Sequence, residues 1–260
     1  MIRRFEMKVY NMFFSPTGGT KRAADNLISA WGDNVTEIDL IEEKSKLQTI
    51  EFSPDDVVFV SVPSFGGRVP SVIPELFEGV SGNKARAVSV AVYGNRAYED
   101  TLIELKDILE KAGFVCAAAA ACNAEHSIMH QYGAGRPDEQ DIKELKEFSA
   151  KIKQCIENNT YSSSVHVPGD VPYRKYGGVP MQPKAGKACI YCGICAAKCP
   201  VNAIPADKPS LTDKNKCISC MHCISVCPVQ ARSLNKIMVG AAATAMKKLF
   251  AVRKGNELFL

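Results

Sequence analysis

The chain has 260 residues, 46% hydrophobic and 23% charged, the composition of a soluble globular protein with room for more than one domain. No run approaches the roughly 18 to 20 apolar residues of a membrane-spanning helix. The apolar stretch Val9 to Phe14 is too short for the core of a signal peptide, so a cytoplasmic, reducing location is expected. The formal charge of +4 hides an asymmetry: residues 1–160 carry 18 Lys and Arg against 24 Asp and Glu, whereas residues 161–260 carry 14 against 4. A basic excess can mark a nucleic-acid binder. No recognition motif accompanies it here, and neither a nucleic-acid nor a membrane partner is expected.

In chain order, Met7 to Phe14 reads as a first strand, followed by Ser15-Pro16-Thr17-Gly18-Gly19-Thr20 and a helical pattern over Lys21 to Trp31. A strand, a Gly- and hydroxyl-rich turn and a helix can point backbone N–H groups at a phosphate, although such turns also occur as plain turns. The turn lacks the spacing of a P-loop or of the dinucleotide fingerprint. Further strands are predicted at Val35 to Leu40, Val57 to Val62, Ala87 to Tyr93 and Phe114 to Cys122. Helices are predicted near Ser71 to Glu78, Asp100 to Ala112 and Asp138 to Glu157. Continuous apolar strands alternating with amphipathic helices predict an α/β domain, a five-stranded parallel sheet covered on both faces, with ligands outside the carboxyl ends of the strands.

The loops at those ends are unusual. Pro63 to Pro70 carries Phe65 beside Gly66 and Gly67; Gly94 to Asp100 carries Asn95, Arg96 and Tyr98; Glu125-His126-Ser127 follows the fifth strand. Aromatics beside a phosphate turn suit a flat ring with a phosphorylated tail, unless Phe65 and Tyr98 merely cap the core. Asn95 and Arg96 also suit loop stabilisation. His126 is the one candidate catalytic residue, able to deliver a proton near a bound ring, with a structural role as the alternative.

From Tyr161 to Lys187 the chain is rich in Ser, Gly and Pro and reads as an extended, stiff connector. Eight of the eleven cysteines then fall in two copies of C-x2-C-x2-C-x3-C-P: first Cys189, Cys192, Cys195 and Cys199, then Cys217, Cys220, Cys223 and Cys227. The copies match at Ile190 and Ile218, Val201 and Val229, and Ala203 and Ala231. Zinc would need no third cysteine three residues on, and a disulfide framework belongs to small secreted chains. The spacing is that of two-cluster iron–sulfur proteins, in which the fourth cysteine of each run serves the other run's cluster. The assignment is one [4Fe–4S] cluster on Cys189, Cys192, Cys195 and Cys227, and a second on Cys217, Cys220, Cys223 and Cys199. Cys116, Cys122 and Cys155 read as buried small hydrophobes. Lys236 to Lys254 reads as a basic amphipathic helix, docked on its own protein or, alternatively, on a membrane surface or partner.

On SPTGGT, FGGRVP, YGNRAY, EHS, GRPD and the cysteine repeat, the chain resembles flavodoxin in its first part and a bacterial 2[4Fe–4S] ferredoxin in its second, as in flavodoxin–ferredoxin fusion proteins. The resemblance implies a flavodoxin-like domain over 1–160, a linker over 161–187, a smaller α+β ferredoxin domain over 188–235 and a basic helix over 236–260. It implies FMN, with Ser15, Thr17, Gly18, Gly19 and Thr20 around the phosphate. The ring contacts would come from Ser64, Phe65, Gly66, Gly67, Gly94, Asn95, Arg96 and Tyr98, with Tyr98 stacking and the Gly66-Gly67 peptide bonding the ring on reduction. Two departures stand out: proline at the second position of the phosphate turn, and Phe65 where a tryptophan is usual. The expected function is electron transfer between the clusters, FMN and a redox partner protein or small acceptor. The alternatives are an FMN-dependent reductase of a small substrate fed by its own ferredoxin domain, and a scaffold that has lost FMN.

Overall fold

A computed structural model describes residues 7–260; the first six residues of the first predicted domain lie outside the described residues. The elements run β1 (Val9–Phe13), α1 (Gly19–Leu27), a 3-10 turn (Ser29–Trp31), β2 (Val35–Asp39), α2 (Lys44–Leu47), β3 (Val57–Pro63), α3 (Val72–Leu76), β4 (Arg86–Tyr93), α4 (Thr101–Lys111), β5 (Val115–Asn123) and α5 (Glu139–Glu157). After the linker come β6 (Lys184–Ala185), α6 (Ile194–Ala197), α7 (His222–Ser225), β7 (Arg232–Ser233), α8 (Lys236–Phe250) and β8 (Glu257–Phe259). The strand order is 2-1-3-4-5-8, parallel throughout except for β8, which pairs antiparallel with β5.

The first five strands are buried along almost their whole length, β2 excepted, because helices cover both faces. Alternation divides β3 cleanly: Val58, Val60 and Val62 face one layer with Met12, Phe14 and the α4 leucines, while Val57 and Phe59 face the other with Ala23, Leu27, Leu145 and Ile152. Fully buried side chains such as Phe14 and Phe59 each contribute about 1.5–3 kcal/mol. At the head of α5, Asp138 accepts from the amide of Asp141 (3.1 Å) and Asp141 accepts from that of Asp138 (3.1 Å), a reciprocal cap that starts this helix.

Three features differ from the sequence reading. The sheet has six strands rather than five. The carboxy-terminal segment is not one helix, since α8 stops at Phe250 and the chain returns as β8. The linker is extended but not a free connector: Val165 and Val167 are buried in the main core, the amides of Asp170 and Arg174 donate to Asp100 (2.9 and 2.7 Å), and Tyr173 donates to Asp107 (2.5 Å).

Long-range polar contacts explain the return of the tail. Asn95 donates to the carbonyls of Phe250 (3.0 Å) and Val252 (3.2 Å), and Arg136 donates to that of Lys254 (2.8 Å). Asn256 accepts from the amide of Asn123 (2.8 Å) and donates to Asp141 (3.0 Å). At the centre Arg136 grips Asp141 through two bonds of 2.8 and 2.5 Å, both side chains being buried. Breaking a buried pair strands the partner's charge. Arg136→Met is therefore expected to lose about 3–5 kcal/mol of stability, read as a fall in the urea midpoint at constant slope, with Arg136→Lys losing less.

Candidate functional site

The order 2-1-3-4-5 reverses between β1 and β3, and the loops after those strands open a cleft there. Its floor is the turn from Ser15 to Thr20. Gly18 takes the left-handed conformation (φ 83°) that lets the chain enter α1 at Gly19. Within the turn Gly18 donates to the carbonyl of Ser15, Lys21 donates to Ser15 Oγ (2.9 Å) and Arg22 donates to the carbonyl of Gly18. The amides of Thr17, Gly19 and Thr20 find no acceptor among the described residues, and these three residues line the cleft. Free amides at the positive end of a nine-residue helix whose first turn holds no acid form an anion cradle.

Ser64, Phe65, Gly66 and Gly94 also line the cleft. Phe65 and Arg68 pair across a two-residue turn in which Gly66 (φ 61°) and Gly67 (φ 84°) are both left-handed, a conformation that favours glycine. Gly67 faces Glu99 and Arg174 rather than the cleft. Tyr98 does not stack there. Its ring is buried edge-on to Tyr93 (5.3 Å) and its hydroxyl donates to Glu257 (3.0 Å), because the loop after β4 folds under the returning tail. Asn95 is likewise turned inward to hold that tail, and Arg96 is paired with Glu99 (2.8 and 2.7 Å). Phe65 is joined at the cleft by Tyr176 of the linker, whose ring lies so close over Gly66 that a Cβ there would overlap it. Nothing local marks Tyr176 in the sequence; its place depends on the linker packing along α4.

His126 is in the cleft wall, edge-on to Phe250 (5.4 Å). Its Nδ1 accepts from the amides of Ile128 (3.1 Å) and Met129 (3.2 Å), which leaves the proton of the neutral ring on Nε2. Burial, reinforced by the neighbouring His130 and Arg96, pushes its pKa down to about 4. A histidine held neutral in this way is not a proton donor near pH 7; it is a fixed wall.

The two cysteine runs fold alike. The four-residue helices α6 and α7 fall at the same place in each run, and left-handed residues recur at matching positions: Tyr191 and Ser219 (φ 57° and 54°), Gly193 and Met221 (75° and 65°), Asn202 and Gln230 (50° and 49°). Ala203 donates to Cys199 Sγ (3.3 Å) and Ala231 to Cys227 Sγ (3.2 Å). Five of these six left-handed residues are not glycine, at about 1–2 kcal/mol each, a strain that persists only where something over-determines it. Cys199, Cys217, Cys220 and Cys223 line one enclosed apolar cavity, the ligand set assigned from the sequence to the second cluster. Burial pushes Cys220 up to about 12 and Cys223 up to about 11, so thiolates there require a cationic core between them. Among the described residues no three His, Cys, Asp or Glu side chains are arranged to hold a single metal ion.

This unit sits on the cleft. His222 Nδ1 (2.9 Å) and Ser225 Oγ (2.8 Å) both donate to the carbonyl of Pro16, and Lys198 pairs with Glu42 (2.8 Å). Ile218 and Ser219, which directly follow Cys217, line the cleft beside Phe65 and Tyr176.

Residues 188–231 match the 4Fe-4S dicluster domain family. No curated protein matches the chain. Among solved structures the chain is similar to a flavodoxin from the domain Archaea, at 16% sequence identity over 58% of this chain and 99% of that one, with a TM-score of 0.40. It is also similar to flavodoxin 1 from Bacillus cereus, at 15% identity over 56% of this chain and 97% of that one, with a TM-score of 0.38. An azoreductase from Bacillus anthracis str. Sterne is similar at 12% identity over 56% of this chain and 98% of that one, with a TM-score of 0.41. At such distances the fold rests on strand order rather than on these likenesses. That order defines a flavodoxin-like α/β domain, and the repeated cysteine unit defines a ferredoxin-type one. The chain thus joins a flavodoxin-like α/β fold to a segment that matches the 4Fe-4S dicluster domain family.

His126 generates a pH prediction. Its folded pKa lies below its unfolded value of about 6.5, so its contribution to stability is complete above that value and is lost as pH falls toward 4. Unfolding free energies from urea titrations between pH 7 and 4 should fall more steeply for the wild type than for His126→Asn, by up to about 1.4 kcal/mol per pH unit.

Proposed function

We propose that this protein transfers electrons between two [4Fe–4S] clusters and an FMN held in the cleft, and from there to an external partner. The observation that carries the reading is the position of Ile218 and Ser219: the loop that follows cluster ligand Cys217 forms part of the cleft wall. When bound, the clusters supply one-electron centres, and FMN supplies one that exchanges one or two electrons with protons.

The residues fit both groups. The free amides of Thr17, Gly19 and Thr20 hold the phosphate, while Phe65 and Tyr176 bound the ring and exclude water from it. Cys199, Cys217, Cys220 and Cys223 hold the inward cluster. Cys189, Cys192, Cys195 and Cys227 would hold the outward one, an assignment that comes from the spacing in the sequence and is supported by the matching backbone of the two runs. A cubane spreads its four thiolates over separate corners, which accords with a cavity ringed by four cysteines better than with a single-ion site. The rival reading, an FMN-dependent reductase of a small substrate, would require a proton donor, and His126 is held in the wrong protonation state for that task.

Anaerobically purified protein reconstituted with FMN should contain about eight irons and one FMN, as the ligand count predicts. A redox titration followed by EPR and visible absorbance should count three centres. Zinc in place of iron, or no flavin after reconstitution, would overturn the proposal. Thr20→Val, removing a hydroxyl beside the phosphate, should raise the FMN Kd by roughly 10- to 100-fold, as expected for about 1.5–3 kcal/mol from a hydrogen bond to a charged group.

A further inference from the structure

The repeat of the two cysteine runs breaks at one buried position. Ile204, five residues beyond Cys199, is apolar and 5% exposed; its counterpart, five residues beyond Cys227, is Arg232, 2% exposed. Ile204 shows that an apolar side chain fills this place in the repeat, and burying a charge there is costly unless the charge is compensated. The compensation is not a carboxylate. Arg232 Nη1 donates to the carbonyl of Pro209 (2.6 Å), and Nη2 donates to Thr212 Oγ1 (2.5 Å) and to the carbonyls of Leu211 (3.3 Å) and Pro183 (3.4 Å), all of them neutral groups. Its other partner is a cysteine: Nη1 lies 3.5 Å from Cys195 Sγ, in the outward set. The buried Nε has no hydrogen-bond partner among the described residues.

The guanidinium stands between the two sets. Pro183 and Thr212, which it holds, line the cavity ringed by Cys199, Cys217, Cys220 and Cys223, and its charge reaches Cys223 of that ring as well as Cys195 outside it.

We propose that Arg232 is the buried counter-ion shared by the two clusters and that it raises their reduction potentials. The inference rests on the reading above, that the eight cysteines hold clusters. Four thiolates around an oxidised [4Fe–4S]2+ core make a dianion, and one added electron makes it a trianion. A fixed cation at a ligand sulfur stabilises the more negative form more, and in a water-poor interior that attraction is only weakly screened. A hydrogen bond to the sulfur acts in the same direction. A guanidinium suits the task because it stays charged at every physiological pH. Each cluster accepts one electron, from the redox partner or, in the test, from dithionite, and Arg232 neither gains nor loses a proton.

The test titrates the cofactor-loaded full chain anaerobically with dithionite and reads the cluster midpoints by EPR. Arg232→Gln keeps hydrogen-bond donors without the charge; both midpoints should fall, the larger fall being about 60 mV, a tenfold shift in the one-electron equilibrium. Arg232→Lys keeps the charge and should shift them by less than about 30 mV, roughly threefold. A merely structural role would lower the urea midpoint or the iron content and leave the potentials of loaded protein unchanged. Loaded Arg232→Gln protein with wild-type midpoints would overturn the proposal, as would equal falls in the two variants. If Arg232→Gln takes up no iron, the wild type decides. With nitrogen-15-labelled arginine, the reduced protein should show a nitrogen-15 hyperfine coupling at a cluster, since Arg232 alone among the described arginines donates to a cysteine sulfur; absence of that coupling overturns the counter-ion. A wild-type protein without iron would instead remove the reading beneath it.

Discussion

The carbonyl of Pro16 is the contact on which the arrangement turns. It lies in a turn whose amides face the cleft, and it accepts from His222 and Ser225 of the ferredoxin unit. One short segment therefore serves two sites: its N–H groups are left for an anion, and its carbonyl anchors the cluster-bearing domain. Proline at this position donates nothing itself. The departure from the usual flavodoxin turn thus coincides with the point where the second domain docks. Around it the charge asymmetry of the sequence becomes specific, as Lys198 and His222 meet Glu42 across the boundary. The exposed Lys198–Glu42 pair contributes little by itself, so apolar packing by Ile218 and Val201 supplies most of the adhesion while the polar contacts of buried His222 and of Ser225 set the register.

The ferredoxin unit gains little from a core of its own. Cys195, Ala196 and Ile204 form a small cluster of buried residues, far short of what a unit this size needs to fold alone. Against that stand five non-glycine residues in the left-handed region, together about 5–10 kcal/mol of strain. Metal–thiolate bonds are the natural compensation, since their formation is itself folding free energy. The strained residues recur at matching positions of the repeat, which ties the strain to the ligand geometry and not to any one sequence.

What the sequence made legible was local. The strands of the first domain could be read because parallel strands buried on both faces are continuous apolar runs, and the 4Fe-4S dicluster segment because its cysteine spacing is itself the signal. The misplacements are all long-range. Tyr98 sits in a polar turn that reads the same whichever way its ring points, and only Glu257, far along the chain in the tail, settles that it points inward. Tyr176 is hidden in a Pro- and Gly-rich stretch that carries no helical or strand period. β8 has three residues, too few for alternation to register, and it forms because Asn95, Arg136 and Asn256 hold the tail against β5. Asn95 takes the loop-stabilising role that was the alternative to ring contact, and Arg136 is likewise buried and engaged in hydrogen bonds.

The tail also changes what the linker means. Because β8 returns to β5, the ferredoxin unit is held at both ends by one sheet: through the packed linker along α4, and through α8, which lies against Met129 and Tyr132 with Phe250 stacked on Tyr132 at 4.3 Å. A unit tethered at one end sweeps a volume set by its linker length, whereas a unit tethered at both ends and docked at Pro16 keeps one position. The same tail brings Phe250 against His126 and so helps to keep that ring buried and neutral. Cluster position and cleft wall are therefore not independent: the segment that restrains the ferredoxin unit also completes the cleft on which it docks.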